Sequence, residues 1–273
     1  MTVSISAQIE VPPIGQGTWR MGDDPARADD EVAAIRYGID LGMTLIDTAE
    51  LYADGVAEEI VGRAIEGRRD DVCIVSKVLP ENASEHGTVD ACHRSLKRLG
   101  VDHIDVYLLH WRREIPLVES VAGFERLVKD GAIRAWGVSN LDVGDLEDLP
   151  SGVVPSANQV LYNLVRRGPE ANLIPWCRER GTTLMAYSPV EKAKLLDRRV
   201  LREVASARGV TPAQIALAWV IRDRDVIAIP KAVDHGHLRD NAAAMEICLT
   251  PEELEILDGA FPAPGVVPLE TLS

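Results

Sequence analysis

Residues 42–52 read GMTLIDTAELY. Met43 to Ile46 make a short, mostly apolar run behind a glycine, the pattern of a buried strand entered from a turn. An acid, Asp47, stands where that strand ends, and a phenol, Tyr52, follows five residues on. Two readings compete for the pair. In the plainer one Asp47 caps the next helix and Tyr52 packs beneath it. In the other, the strand delivers polar groups to a rim where chemistry takes place.

The rest of the chain favours a rim. Similar runs are PPIGQGTW (12–19), VCIVSK (72–77), IDVYLLH (104–110), IRAWGVS (133–139), SANQV (156–160), TTLMAYS (182–188) and DVIAIP (225–230), which with TLID (44–47) make eight. Near-continuous apolar runs suit a parallel sheet covered on both faces. Amphipathic segments lie between them. DDEVAAIRYGIDLG (29–42) opens with acids and stops at Gly42, and TVDACHRSLKRLG (88–100) ends in basic residues and Gly100. PLVESVAGFERLVKDG (116–131) begins with a proline suited to a first turn, and TPAQIALAWVIRD (211–223) has Thr211 as cap before Pro212. Eight strand–helix units in 273 residues predict an α/β fold, a (β/α)8 TIM barrel forming one domain over 1–273. The rival is an open doubly wound sheet. No G-x-G-x-x-G follows the first strand, which counts against its dinucleotide-binding form.

The totals narrow the function. A formal net charge of -14 argues against nucleic acid or an anionic membrane as the main partner. Cys73, Cys92, Cys177 and Cys248 are scattered without a C-x-x-C pair, so reduced thiols in a cytoplasmic protein are expected. The opening MTVSISAQIE has neither a basic nor an apolar leader region, so no export signal is expected, and no apolar run reaches the roughly 18 residues of a membrane span.

Barrel sites lie at the C-terminal ends of the strands. Those ends give Asp47 with Tyr52 beyond it, Lys77, His110, Ser139 with Asn140, Asn158 with Gln159, Tyr187 with Ser188, and Lys231. Singly, each has a bland explanation: a snorkelling lysine, a half-buried histidine, a helix-capping asparagine. Together they suggest a constellation. A free tyrosine, with a pKa near ~10, is a poor proton donor at neutral pH. An ammonium about 4 Å away, at an effective dielectric of about 20, attracts the phenolate with roughly 4 kcal/mol before Asp47 offsets part of it. A tyrosine so tuned can protonate a carbonyl oxygen while His110 orients it. The set holds no hydride, so a nicotinamide is implied. His110 lacks a partner at metal-ligand spacing, so no metal is expected, and HGH at 235–237 reads as a helix start.

These motifs resemble the aldo-keto reductase family nearly end to end. GQGTWRMG, LGMTLIDTAELY, VCIVSKV, IDVYLLHW, IRAWGVSN, NQVLYN, LMAYSPV and AIPKAVDHGHLRDN occur in family order, most like the small bacterial branch that accepts methylglyoxal and simple aldehydes. The resemblance implies Tyr52 as proton donor, Lys77 and Asp47 as its tuners and His110 as substrate orienter. It implies Gly17, Thr18 and Trp19 beside the cofactor, with Ser139, Asn140 and Gln159 on the carboxamide. Tyr187 would stack on the nicotinamide, near Ser188, Pro189, Val190 and Ile229. Lys231, Ala232, His237 and Asn241 would surround the adenosine phosphate and adenine. Trp19 and Trp111, with Tyr52 and His110, would wall the substrate pocket.

Three departures stand out. Ala232 replaces a common serine, and His237 replaces an arginine that clamps the 2′-phosphate, although Arg239 is close. Lys231 remains, so NADPH is expected, with NADH as the alternative. Glu191, in YSPVEKAKLL, puts an acid near the pyrophosphate unless Lys192 or Lys194 screens it, so an open loop and weaker cofactor affinity are expected. The Pro-rich FPAPGVVPLETLS (261–273) suggests a shallow pocket for small aldehydes. A monomer acting on small molecules is the expectation. The competing functions are a non-catalytic nicotinamide-binding regulatory subunit, a metal-dependent barrel hydrolase, and a sugar or alcohol dehydrogenase working in the oxidative direction.

Overall fold

A computed structural model describes residues 2–271. Its first feature was not foreseen: an antiparallel hairpin of β1 (Val3–Ser6) and β2 (Ile9–Val11). Eight parallel strands follow, each beside the next in chain order: β3 (Gln16–Gly17), β4 (Leu45–Asp47), β5 (Cys73–Val78), β6 (Ile104–Leu109), β7 (Ile133–Ser139), β8 (Ala157–Leu161), β9 (Thr183–Tyr187) and β10 (Val226–Ile229). The sheet meets its own first edge. Ile14 bridges Ala228 in parallel, and the amides of Gly15 and Gly17 donate to the carbonyls of Ala228 and Pro230 at 2.9 and 3.0 Å. The result is the (β/α)8 barrel. The domain limits of 1 and 273 fall on Met1 and Ser273, which lie outside the described residues, as does Leu272 at the end of FPAPGVVPLETLS.

The outer layer is built from α1 (Ala28–Asp40), α2 (Val56–Ala64), α3 (Glu85–Leu99), α4 (Leu117–Lys129), α5 (Val143–Glu147), α6 (Leu173–Arg180), α7 (Arg199–Arg208), α8 (Pro212–Val220), α9 (His235–Ala243) and α10 (Pro251–Ala260). Their ends follow capping chemistry. Thr211 and Gln214 form a capping box around Pro212, and Gly100 ends α3 in the left-handed region. Several boundaries differ from the sequence reading, among them the starts of α3 and α4. The α3 helix begins at Glu85, because Ser84 accepts from the Gly87 amide at 3.1 Å. Pro116 is the cap residue of α4 and not part of its first turn.

Strand periodicity sorts the barrel into two cores. Ile46, Ile74, Tyr107, Trp136, Val160, Leu184 and Ala228 face outward into the helix layer. Leu45, Val75, Val106, Leu108, Ala135, Ala157, Met185 and Ile227 face inward and pack with Val3, Ile5, Ile9 and Val11. The hairpin is thus a plug. It lies at the N-terminal end of the barrel, where Thr183, the first residue of β9, donates to the Ser4 carbonyl at 2.7 Å. Counting two residues up from the inward set reaches Asp47, Lys77, His110, Gln159 and Tyr187. Asn158 falls on the opposite parity: its amide donates outward to the Leu141 carbonyl at 2.8 Å, so it braces the wall and does not join the rim.

Candidate active site

Lys77 is the centre of the rim. Its Nζ donates to Asp47 Oδ1 and Oδ2 at 2.8 and 2.9 Å, to the Thr48 carbonyl at 2.8 Å and to the Tyr52 hydroxyl at 3.4 Å. The Lys77 and Asp47 side chains are 0% and 5% exposed. Gln159 Nε2 donates to the same Asp47 Oδ1 at 2.7 Å. Asp47 therefore caps no helix. The next helical turn, Tyr52–Gly55, is entered from Leu51, and α2 starts only at Val56. The His110 ring meets Tyr52 edge-on at 5.8 Å and Trp111 at 4.7 Å, and the buried Nδ1 of His110 has no partner.

Protonation follows from burial and charge. Burial pulls the Lys77 ammonium down, but Asp47 and Tyr52 outweigh it and hold its pKa above the ordinary lysine value. Burial, reinforced by the charge of Lys77, pushes His110 well below its usual range, so the imidazole is neutral at pH 7. Tyr52 differs from the sequence argument. Burial and Asp47 outweigh the pull of Lys77, so its pKa lies above the ordinary tyrosine value. Sequence gave the nearby ammonium but not the desolvation.

The remaining residues named from sequence lie at or beyond the strand ends. Both the amide and the hydroxyl of Thr18 donate to the Asp47 carbonyl at 3.0 Å. Ser139 donates to the Gln159 carbonyl at 2.8 Å. Asn140, left-handed at φ 59, donates to the His110 carbonyl at 3.2 Å and accepts from the Tyr187 hydroxyl at 3.0 Å. Gly17 lies at the closing seam, where a Cβ would come within 3.3 Å of Ile229 and 3.7 Å of Lys231. Trp19 is 43% exposed at the mouth, its ring 4.8 Å from both Arg20 Cζ and Lys192 Nζ. Pro189 is buried and Ser188 and Val190 half-buried, just past β9. Past β10, Lys231 is exposed and Ala232 half-buried. His237 and the buried Asn241 lie in α9, which does begin at His235. Arg239 reaches sideways to the Tyr37 hydroxyl at 3.3 Å.

The loop after β9 corrects one expectation. Glu191 is screened chiefly by Arg166, whose Nη2 and Nε donate to it at 2.9 and 3.1 Å, and by Asn163 at 2.8 Å; Lys194 adds only a weaker attraction. Burial raises the Glu191 pKa, but these hydrogen bonds win and keep it ionised. The loop is fastened, not open. Lys192 turns instead toward Trp19. Arg166 and Asn163 were missed because ion pairs across separate loops leave no local pattern. Arg166 also reaches Glu270 at 2.5 Å, which ties the C-terminal stretch to this side of the mouth.

The residues suit a nicotinamide dinucleotide. A half-buried aromatic, Tyr187, adjoins the amide of Asn140, a bare glycine backs the seam, and Lys231 is exposed at the end of β10. Among the described residues, no three His, Cys, Asp or Glu side chains gather as a metal-ligand set.

Residues 13–261 match the model of the aldo/keto reductase family. The chain belongs to that family. It is 48% identical to methylglyoxal reductase YeaE of Escherichia coli K12 over 96% of this chain and 95% of the relative. It is 32% identical to the glyoxal reductase of Bacillus subtilis, covering 94% of this chain and 91% of that one. An aldo-keto reductase from Klebsiella pneumoniae, solved in complex with NADPH, superposes with a TM-score of 0.95 at 49% identity and 99% coverage of both chains. In this aldo/keto reductase Arg20 and Lys192 are both set against Trp19 at the mouth.

Proposed function

We propose that this aldo/keto reductase is an NADPH-dependent carbonyl reductase of small aldehydes such as methylglyoxal, with Tyr52 as its proton donor. The observation that carries the reading is the convergence of Tyr52 and Asp47 on one buried ammonium at the barrel mouth, with His110 edge-on to Tyr52. The bound nicotinamide supplies the hydride. Lys77 holds the Tyr52 hydroxyl at the rim, and Asp47, fixed by Gln159, holds Lys77. His110, being neutral, orients the carbonyl oxygen without competing as an acid. The Tyr52 proton then passes to that oxygen, and Lys77 stabilises the phenolate left behind. Asn140, Gln159 and Ser139 hold the carboxamide, and Lys231 meets the adenosine phosphate. A methylglyoxal-sized substrate suits a mouth walled by Trp19 and Trp111.

The proposal includes a monomeric cytoplasmic enzyme with small-molecule partners only, supported by four unpaired cysteines and a net charge of -14. No described helix is long and apolar enough to cross a membrane. The test is Tyr52→Phe. NADPH oxidation with methylglyoxal should fall about 10²–10⁴-fold while NADPH binding persists. Turnover within a few-fold of the parent would reject Tyr52 as donor.

A further inference from the structure

Glu50, inside the DTAELY segment, plays no part in the reaction just described. Yet its side chain is only 7% exposed. Its Oε1 accepts from the Leu79 amide at 2.8 Å and from Asn82 Nδ2 at 3.0 Å, while Oε2 faces Arg94 at 3.7 Å. Its own amide donates to the Lys77 carbonyl at 3.4 Å. Leu79 lies two residues past Lys77, immediately beyond β5. One buried carboxylate therefore ties the loop bearing Tyr52 to the strand end bearing Lys77.

That loop needs a tie. Ala53, Asp54 and Gly55 directly after Tyr52 have φ of 49°, 53° and 92°. For the two residues with a Cβ this left-handed geometry costs roughly 1–2 kcal/mol each, so local preference does not hold Tyr52 in place. The Tyr52 contact is also the longest of the four made by Lys77, 3.4 Å against 2.8–2.9 Å, and the first to be lost if the loop shifts.

We infer that Glu50 is a positioning residue that sets the reach of Tyr52 to Lys77 by anchoring their two loops to each other. The inference rests on the tetrad reading. A buried glutamate in this place could serve folding alone, and the two roles separate experimentally.

Glu50→Ala and Glu50→Gln are compared with the parent for kcat and KM with methylglyoxal, NADPH affinity by fluorescence titration, and the pH profile of kcat. In E50A, kcat should fall about tenfold or more, as sub-ångström to ångström misplacement of a reacting group does. NADPH affinity should stay within about twofold. The alkaline fall in rate should move to higher pH, because Lys77 of β5 pulls less on Tyr52 while Asp47 of β4 still opposes it and His110 of β6 stays neutral. E50Q keeps an acceptor for Leu79 and Asn82 and should recover kcat to within about threefold. An unchanged kcat in E50A, a loss matched in NADPH binding, or an E50Q as impaired as E50A would overturn the inference. Should E50A not fold, Asn82→Ala removes one of the two donors to Oε1. Its kcat should drop about two- to fivefold with NADPH affinity kept, and an unchanged kcat overturns the inference. If Tyr52→Phe retains turnover, the tetrad reading itself fails. If Y52F is inactive and E50A is not, only the role of Glu50 fails.

Discussion

Replacing Lys77 by methionine probes the centre of the site. The ammonium makes two bonds to Asp47 at 2.8 and 2.9 Å in a place where both side chains are almost wholly buried. Without it Asp47 keeps the Gln159 amide at 2.7 Å and no nearby cation. Removing one partner of a buried ion pair typically costs about 3–5 kcal/mol, because the other charge stays behind. Asp47→Asn strands Lys77 in turn, leaving it the Thr48 carbonyl and Tyr52. The double variant buries no charge, so it should be less destabilised than the sum of the single changes, with a coupling of about 2–4 kcal/mol. Activity adds a second readout. At 3.4 Å and an effective dielectric of about 20, the raw attraction of the ammonium for the phenolate is about 5 kcal/mol, with Asp47 opposing. K77M should therefore lose about 10²-fold or more in kcat at pH 7. Urea unfolding of the four proteins measures the cycle, and NADPH oxidation measures the rate. If the two single losses simply add, or if K77M costs less than about 1 kcal/mol, Lys77 and Asp47 are not a coupled buried pair and the reasoning fails.

Four further outcomes are expected. Because His110 is neutral, kcat should cross pH 6.5, the ordinary histidine value, without inflection; an inflection there would contradict the neutral imidazole. The same depressed pKa means that stability present above pH 6.5 is lost as pH falls through the folded value, since the unfolded chain takes up the proton first, so His110→Asn should unfold with less acid sensitivity in urea titrations between about pH 7 and 5. Ala53→Gly relieves a left-handed alanine at φ 49° and should raise stability by about 0.5–1 kcal/mol after the glycine's extra unfolded-state entropy; a destabilised variant would show that Ala53 is not strained. Lys231→Met should weaken NADPH about tenfold and NADH by no more than about twofold; equal losses would place Lys231 away from the adenosine phosphate.

The rim was legible because parallel barrel strands are apolar runs that stop abruptly. Asp47, Lys77, His110 and Gln159 are visible as the polar residues at which they stop. Asn158 was misread because rim position depends on parity as well as on reaching a strand end, and Asn158 has the outward parity. The hairpin was missed although Val3-Ser4-Ile5 and Ile9-Glu10-Val11 alternate, because Ala7 and Gln8 between them carry no turn signal. Glu50 was passed over because a loop glutamate normally faces water. Its burial depends on Leu79 and Asn82, about thirty residues away, bringing their donors to it. The pKa direction at Tyr52 was out of reach for a similar reason: a sequence shows which charges are neighbours, but not how little water they share.

The hairpin at the foot of the barrel acts as an insulator. Val3, Ile5, Ile9 and Val11 seat against Leu45, Val75, Val106 and Met185, a column that offers water no hydrogen-bond partner directly below Asp47 and Lys77. A weakly polarisable floor screens the pair little from beneath, so their field is focused upward into the mouth. Wetting the floor would dim that field with every residue of the rim unchanged. The opening segment of the chain, at the far end of the barrel from the rim, thereby helps keep low the dielectric in which the rim works.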